Sequence, residues 1–166
     1  KPRRDIARID GQTVHFRDGE QADYDLILMA TGYQLDYPFI QRQQLKWPAQ
    51  VDAPQLYINI FHPEQHNLFM LGMIEASGLG WEGRNLQARL VALYIKQQQQ
   101  QTRAASRFNQ LKRERAGQAI DGGYRYIKLA RMAYYVNKDA YLQALRTHIG
   151  ELERAAPLAR AEPVNA

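Results

Sequence analysis

Apolar residues fall in blocks whose spacing changes along the chain. Between Asp5 and Met29 they form short stretches, Ile6 to Ile9, Val14 to Phe16 and Leu26 to Met29, with Asp10-Gly11 and Asp18-Gly19 between them. An Asp-Gly pair flanked by such stretches is a strong hairpin signal, so residues 5 to 33 are expected to form a β-meander. Its third strand is predicted over Tyr24 to Met29. Leu26, Ile27, Leu28 and Met29 leave that strand no polar face, so it should be buried on both sides. Ala30, Thr31 and Gly32 follow as a small-residue turn in which the backbone can approach a bulky group and Gly32 can take φ > 0.

Residues 34 to 55 are interrupted by Pro38, Pro48 and Pro54 and are predicted to be irregular. Tyr37, Phe39, Ile40, Leu45 and Trp47 make this a packed loop rather than a free linker. Two further strands are expected, Leu56 to Phe61 and Leu68 to Met73. The second is continuous and apolar, hence central, and His62-Pro63 to Asn67 is the turn between them. The period then changes. Leu86, Leu90, Leu93 and Gln97 form a helical stripe from Arg84 to about Gln101, with the Gln97–Gln101 run read as exposed helix. Helical propensity continues to Ala116, and Gly117, Gly122 and Gly123 break it. Tyr124 to Tyr135 is aromatic and of no definite type. Asn137 is expected to cap a last helix carrying Tyr141, Leu142, Leu145 and Ile149, with Gly150 as its stop. Residues 155 to 166 read as a frayed tail.

The elements together describe an α/β chain (α+β in isolation): a β-meander and buried strands followed by C-terminal helices. Its length of 166 residues suits one domain or part of a larger protein. There is no cysteine, which excludes disulfides and thiolate metal sites and is compatible with a reducing, cytoplasmic location. No apolar run approaches the ~18 residues of a membrane helix, and the first residues do not read as a signal peptide. The chain does not begin with Met, which fits a fragment or a processed start.

The net charge is +5, and much of it lies in Arg103, Arg107, Lys112, Arg113 and Arg115. A basic run of this kind can hold an anionic polymer or surface, and a small basic binding module is one reading of the chain. A solvated helix face is the simpler account, and no nucleic-acid signature accompanies it. His15, His62, His66 and His148 read as turn and surface residues. No metal site is expected, because Pro63 separates His62 from His66 and further ligands are lacking. Ser77 has no nucleophile context, and Asp23 with Asp25 and Glu75 with Glu82 are explained as strand-end and helix-start charges. No catalytic residue is assigned.

Gly78-Leu-Gly80-Trp-Glu-Gly83 has the spacing of a dinucleotide fingerprint, but it is not one. Ile74 to Ser77 separate it from the preceding strand, and no acidic residue ends a second strand ~20 positions later. Three glycines before a helix can still bring backbone N–H groups near an electron-rich ligand edge.

Several motifs, taken in order, resemble one family. Asp25-Leu-Ile-Leu-Met-Ala-Thr-Gly-Tyr33 resembles the Ala-Thr-Gly-Tyr motif of flavin-containing monooxygenases and their Baeyer–Villiger and N-hydroxylating relatives. The series Leu56-Tyr57, Phe61-His-Pro63, Asn67 to Gly72 and Asn85-Leu-Gln-Ala-Arg89 is similar to the C-terminal part of those proteins. So is the tail from Tyr134 through Tyr141 to Gly150. The resemblance implies a partial two-dinucleotide-binding flavoprotein fold. Its parts would be a meander over 1–33, the C-terminal part of an FAD-binding domain over 34–101, a helical extension over 102–154 and a flexible tail over 155–166. It implies FAD and NADPH as cofactors of a full-length parent, in which a flavin C4a-peroxide oxygenates a nitrogen, sulfur or ketone substrate. Ala30, Thr31, Gly32, Gly72 and Gly80 would then shape the cofactor's surroundings. The family's FAD and NADPH fingerprints and its linker motif are absent here. The resemblance therefore makes a missing N-terminal dinucleotide-binding region the natural partner, and the chain alone is expected to be inactive. A fragment of a related flavoprotein reductase fits the same motifs.

Overall fold

The computed structural model describes residues 1–32, 34–126 and 132–155. Tyr33 of the small-residue motif, part of the Tyr124 to Tyr135 stretch and the tail from residue 156 lie outside the described residues. The chain is mixed α/β, with a three-stranded antiparallel sheet and three α-helices among the described residues. It divides into two units, Lys1–Tyr33 and Gln34–Ala166.

The first unit is the meander. Strands β1 (Ile6–Asp10), β2 (Thr13–Phe16) and β3 (Gln21–Asp23) pair in chain order. The β1–β2 loop is Gly11 and Gln12, one residue beyond the expected Asp10-Gly11 pair, because Asp10 still pairs with Thr13 at the end of β1. Gly11 has φ 60 at the first loop position, where a type II′ turn requires a positive value. At the second turn Asp18 Oδ1 accepts from the Glu20 N–H at 3.1 Å. Val14 and Phe16 supply the buried face of the sheet.

The third strand is displaced from its expected place. It occupies Gln21–Asp23, and Tyr24 to Met29 are not a strand. The reason is register. Asp23 pairs with Thr13, the first residue of β2, so beyond it the sheet offers little more than the Gln12 carbonyl to Tyr24. Leu26, Leu28 and Met29, expected to be buried, are 81%, 85% and 73% exposed. An apolar run without strand neighbours cannot be covered by its own four residues.

The second unit contains α1 (Gly80–Gln99), α2 (Arg103–Glu114) and α3 (Lys138–Glu153). The proline-rich segment before them is irregular, with one 3-10 turn over Arg42–Leu45. Leu45 and Trp47 are buried, and the Trp47 indole N–H donates to the Val51 carbonyl at 2.7 Å. Phe39 is exposed instead of packed.

Neither expected strand of this unit forms as such. Tyr57 and Phe61 pair across a tight turn, with backbone hydrogen bonds of 2.9 and 3.0 Å between them. Ile58 and Asn59 sit at φ 46 and 55 inside it. A β-branched residue with φ > 0 is a costly conformation. Burial holds it there, since Tyr57, Ile58, Ile60 and Phe61 are all at most 5% exposed. The Leu68–Met73 segment meets this turn through one bridge, Phe61 with Phe69, and then bends at Gly72, whose φ is 84. The turn offers too few backbone groups for a longer ladder.

Helix α1 begins four residues before the expected Arg84 and ends at Gln99. Gln101 at φ 53 breaks the expected continuation, and the buried Thr102 caps α2 by accepting from the Ala105 N–H. Gln97, expected to be exposed, is buried and donates from Nε2 to the Leu152 carbonyl at 2.7 Å. Asn137 caps α3 through the Ala140 N–H at 3.0 Å, whereas Gly150 lies within the helix.

An aromatic cluster joins these pieces. Phe108 of α2 lies 4.8 Å from Phe61 and 5.2 Å from Tyr94 of α1, centroid to centroid. The imidazole of His148 on α3 packs edge-on against Phe108 at 5.2 Å. Such tilted and edge-to-face contacts suit the ring quadrupoles. Beside the cluster, Lys112 is fully buried. Its ammonium donates to Tyr94 Oη at 2.9 Å and to the Gln65 carbonyl at 3.2 Å, and it lies 3.3 Å from His66 Nδ1. Burial, aided by the charge of Arg113, lowers the Lys112 pKa from 10.5 to about 8.

Between pH 8 and 10 the unfolded chain binds more protons at this lysine than the native one, so stability rises with pH across that window. Tyr57, Tyr94 and Tyr141, raised by burial, oppose the rise only as tyrosines of the unfolded chain begin to ionise. Urea titrations at successive pH values are expected to show the rise in the wild-type chain and a flattened profile in Lys112→Met.

Candidate functional site

The most organised polar feature of the second unit is built around one amide. Gln87 projects from the second turn of α1 and is fully buried. Its Oε1 accepts from the Gly72 backbone N–H at 3.1 Å. Its Nε2 donates to Tyr141 Oη at 2.7 Å, and the Tyr141 hydroxyl donates to the Ile58 carbonyl at 2.9 Å. One relay therefore joins the glycine bend, α1, α3 and the strained turn at Ile58. Burial raises the Tyr141 pKa, against the lowering effect of the Gln87 hydrogen bond, so the hydroxyl keeps its proton and remains a donor.

The relay fixes the bend at Gly72 relative to the opening of α1. The chain between them is also held. Glu75 bonds through its backbone to Tyr134 and Val136 at 3.1 and 3.0 Å. Leu79 is buried and folds over Gly83, where a Cβ would stand 2.4 Å from Leu79 Cγ. Gly83 thus serves helix packing, and a larger residue there would displace Leu79.

This geometry leaves the start of α1 open. The residue in the cap position is Leu79, whose side chain cannot accept a hydrogen bond, and no side chain caps the helix. Gly78 and Gly80 have φ 76 and 56, conformations that favour glycine. Nothing lies within 4 Å of the Cβ positions of Gly72 or Gly80. Trp81 is 86% exposed, and Leu71 beside Gly72 is 55% exposed. Glu82 is drawn into an ion pair with Arg146 at 2.6 Å. Uncapped N–H groups at the positive end of a 20-residue helix can receive an electron-rich group.

Of the residues singled out in the sequence, Gly72 and Gly80 are thus brought to the two ends of one glycine-rich segment in the second unit. Ala30, Thr31 and Gly32 belong to the first unit, where all three are exposed and Gly32 has φ 79. The residues that sequence reasoning missed are Gln87 and Tyr141 as a polar pair. A signal existed: Gln87, Leu90, Val91 and Tyr94 follow the i, i+3, i+4, i+7 spacing of a buried face, and a glutamine there needs partners.

His62 also differs from expectation. It is a turn residue but buried, with Nδ1 accepting from the Glu64 and Gln65 N–H groups at 3.2 and 2.8 Å. Burial lowers its pKa, so the ring stays neutral and caps the turn. Among the described residues no group of three or more His, Asp or Glu side chains could hold a metal ion. Nor is any described helix long and apolar enough to cross a membrane.

The comparisons with known proteins agree with the motifs. Residues 1–156 match the family described as FMO-like, flavin-binding monooxygenase-like. A trimethylamine monooxygenase of Pelagibacter sp. is 33% identical over 69 residues, covering 41% of this chain and 16% of that protein. The trimethylamine monooxygenase of Methylocella silvestris is 35% identical over 69 residues, covering 41% and 15%. A 4-hydroxybenzoate brominase (decarboxylating) of Marinomonas mediterranea is 45% identical over 38 residues, covering 23% and 7%. The matches thus take in no more than about a sixth of these relatives' lengths. No solved structure gives a significant match.

Replacing Gln87 by Ala removes the acceptor of the Gly72 N–H and leaves Tyr141 without its donor. Destabilisation of about 1–3 kcal/mol is expected. Amide exchange at Gly72 should accelerate, while that of Asn137-capped α3 at Tyr141 follows only the global loss. Both are read by native-state hydrogen exchange.

Proposed function

Because the chain belongs to the flavin-binding monooxygenase-like family, we propose that it is the C-terminal portion of an FAD- and NADPH-dependent monooxygenase. The observation that carries this reading is the uncapped, glycine-lined start of α1, held against the Gly72 bend by Gln87. Such an end suits the polar edge of a flavin ring, with its carbonyl oxygens and ring nitrogens. The same segment does not suit the cofactor's pyrophosphate. Gly83 of the Gly78–Gly80–Gly83 triplet is occupied by Leu79, and the segment before it is not a strand. The phosphate-binding contacts must then come from elsewhere in the parent protein.

In this reading the first-turn N–H groups of α1 and the Gly72 bend orient the flavin ring. Gly80 keeps the approach free of side chains. Trp81 and Leu71, both exposed here, exclude water from the ring's surroundings. When bound, FAD supplies the redox and oxygen-activating chemistry, with NADPH as reductant. The chain contributes no general base. Residues 34–101 then form the C-terminal part of the FAD-binding domain, and 102–154 its helical extension.

The exposed run Leu26 to Met29 supports a further element of the proposal, an N-terminal dinucleotide-binding region that provides its strand neighbours. The parent's substrate is a small molecule oxygenated at nitrogen, sulfur or a ketone. The names of the trimethylamine monooxygenase relatives favour nitrogen. The chain alone has no monooxygenase activity in this reading.

The test is flavin retention after incubation with excess FAD and desalting. The chain alone is expected to emerge colourless. Mixed with the N-terminal region of the Pelagibacter relative, it should carry the flavin absorption band beyond what that region carries by itself. Retention by the isolated chain would contradict the placement of the phosphate contacts elsewhere. No gain in the mixture would contradict the flavin reading.

A further inference from the structure

Between α2 and α3 lies a groove of about 340 Å³, within the ~300–1,000 Å³ of small-ligand sites. Ala104 and Leu111, half-buried over the buried Phe108 and Leu152, give it an apolar lining, and the exposed Arg103, Arg107 and Arg154 complete it. Among the described residues, no carboxylate lies within ion-pair distance of these three arginines. This contrasts with Arg89 and Arg146, which pair with Glu153 and Glu82. The one carboxylate on the lining, Glu151, accepts from His148 Nδ1 at 3.1 Å. His148 Nε2 in turn lies 2.7 Å from the Tyr57 hydroxyl, so the ring is held in place from both sides.

Helix polarity sharpens the imbalance. Arg103 is the first residue of α2, and no acidic residue occupies that first turn. A cation at the positive end of a helix is unfavourable, and a bound anion relieves it. Arg113 and Arg115 do not line the groove, so the basic run noted in the sequence is not one surface. A compact groove with three arginines and an apolar lining does not match an extended polyanion.

We propose that this groove binds a small anionic amphiphile of the medium-chain carboxylate type. The carboxylate meets Arg103, Arg107 and Arg154, and the hydrocarbon lies along Ala104 and Leu111. A planar guanidinium matches a carboxylate in a bidentate manner. The site is independent of the flavin-proximal end of α1.

Isothermal titration of the flavin-free chain with sodium decanoate, below its micellar range, tests the proposal. Saturable one-to-one binding is expected, weakened at least about tenfold in Arg103→Gln/Arg107→Gln, as expected for loss of an ion-paired contact. Arg113→Gln/Arg115→Gln should bind as the wild type, and decanol should bind far more weakly than decanoate. Circular dichroism checks that both variants remain folded. The proposal is overturned if decanoate does not bind, if both double variants lose affinity equally, or if decanol binds as well. Binding to anionic vesicles without binding to free decanoate would also overturn it. None of these results bears on flavin retention.

Discussion

The buried side chain of Gln87 is the constraint on which the second unit depends. An amide without partners in an apolar interior costs about 1–3 kcal/mol for each unsatisfied group. Gln87 meets that demand by accepting from Gly72 and donating to Tyr141, which passes the bond on to Ile58. Four segments distant in sequence are thereby placed by a chain of three hydrogen bonds. The Tyr57–Phe61 turn can hold Ile58 at a positive φ because its carbonyl has a partner and its side chain is buried.

From this follows the character of the start of α1. Leu79 is drawn into the core over Gly83, so the cap position carries an apolar side chain that cannot satisfy the helix. Natural helices usually place Ser, Thr, Asp or Asn there, as this chain does with Thr102 and Asn137. The contrast within one molecule gives the uncapped end its meaning. Two helices are closed by their own side chains, and the third is left open beside a glycine bend. The chain belongs to the flavin-binding monooxygenase-like family, and the proposed function assigns this open end to the flavin.

Much of this was legible in the sequence, and the failures share a cause. The two Asp-Gly turns, the Asn137 cap, the stripe of α3 and the family motifs were read from local chemistry, and local chemistry decides them. The expected strands at 24–29, 56–61 and 68–73 were read from apolar continuity, which reports burial but not a partner. At 24–29 β2 runs out of residues to pair with, leaving Leu26 and Leu28 exposed. At 56–61 the apolar residues are buried as a turn instead. Gln97 was hidden because the glutamine run to Gln101 read as exposed helix, and Gln87 because it read only as part of a family motif, while tertiary partners bury both. The helix break at Gln101 was masked by the uniform helical propensity of the residues around it.

A double-mutant cycle between Gln87→Ala and Tyr141→Phe isolates the bond between the two buried side chains. If the two side chains act as one relay, the second substitution should cost much less once the first is present. The stability coupling, measured by denaturant unfolding, should then be about 1 kcal/mol or more. Additive losses, with a coupling indistinguishable from zero, would mean that Gln87 and Tyr141 do not act as one relay and that α1 and α3 are joined there by packing alone.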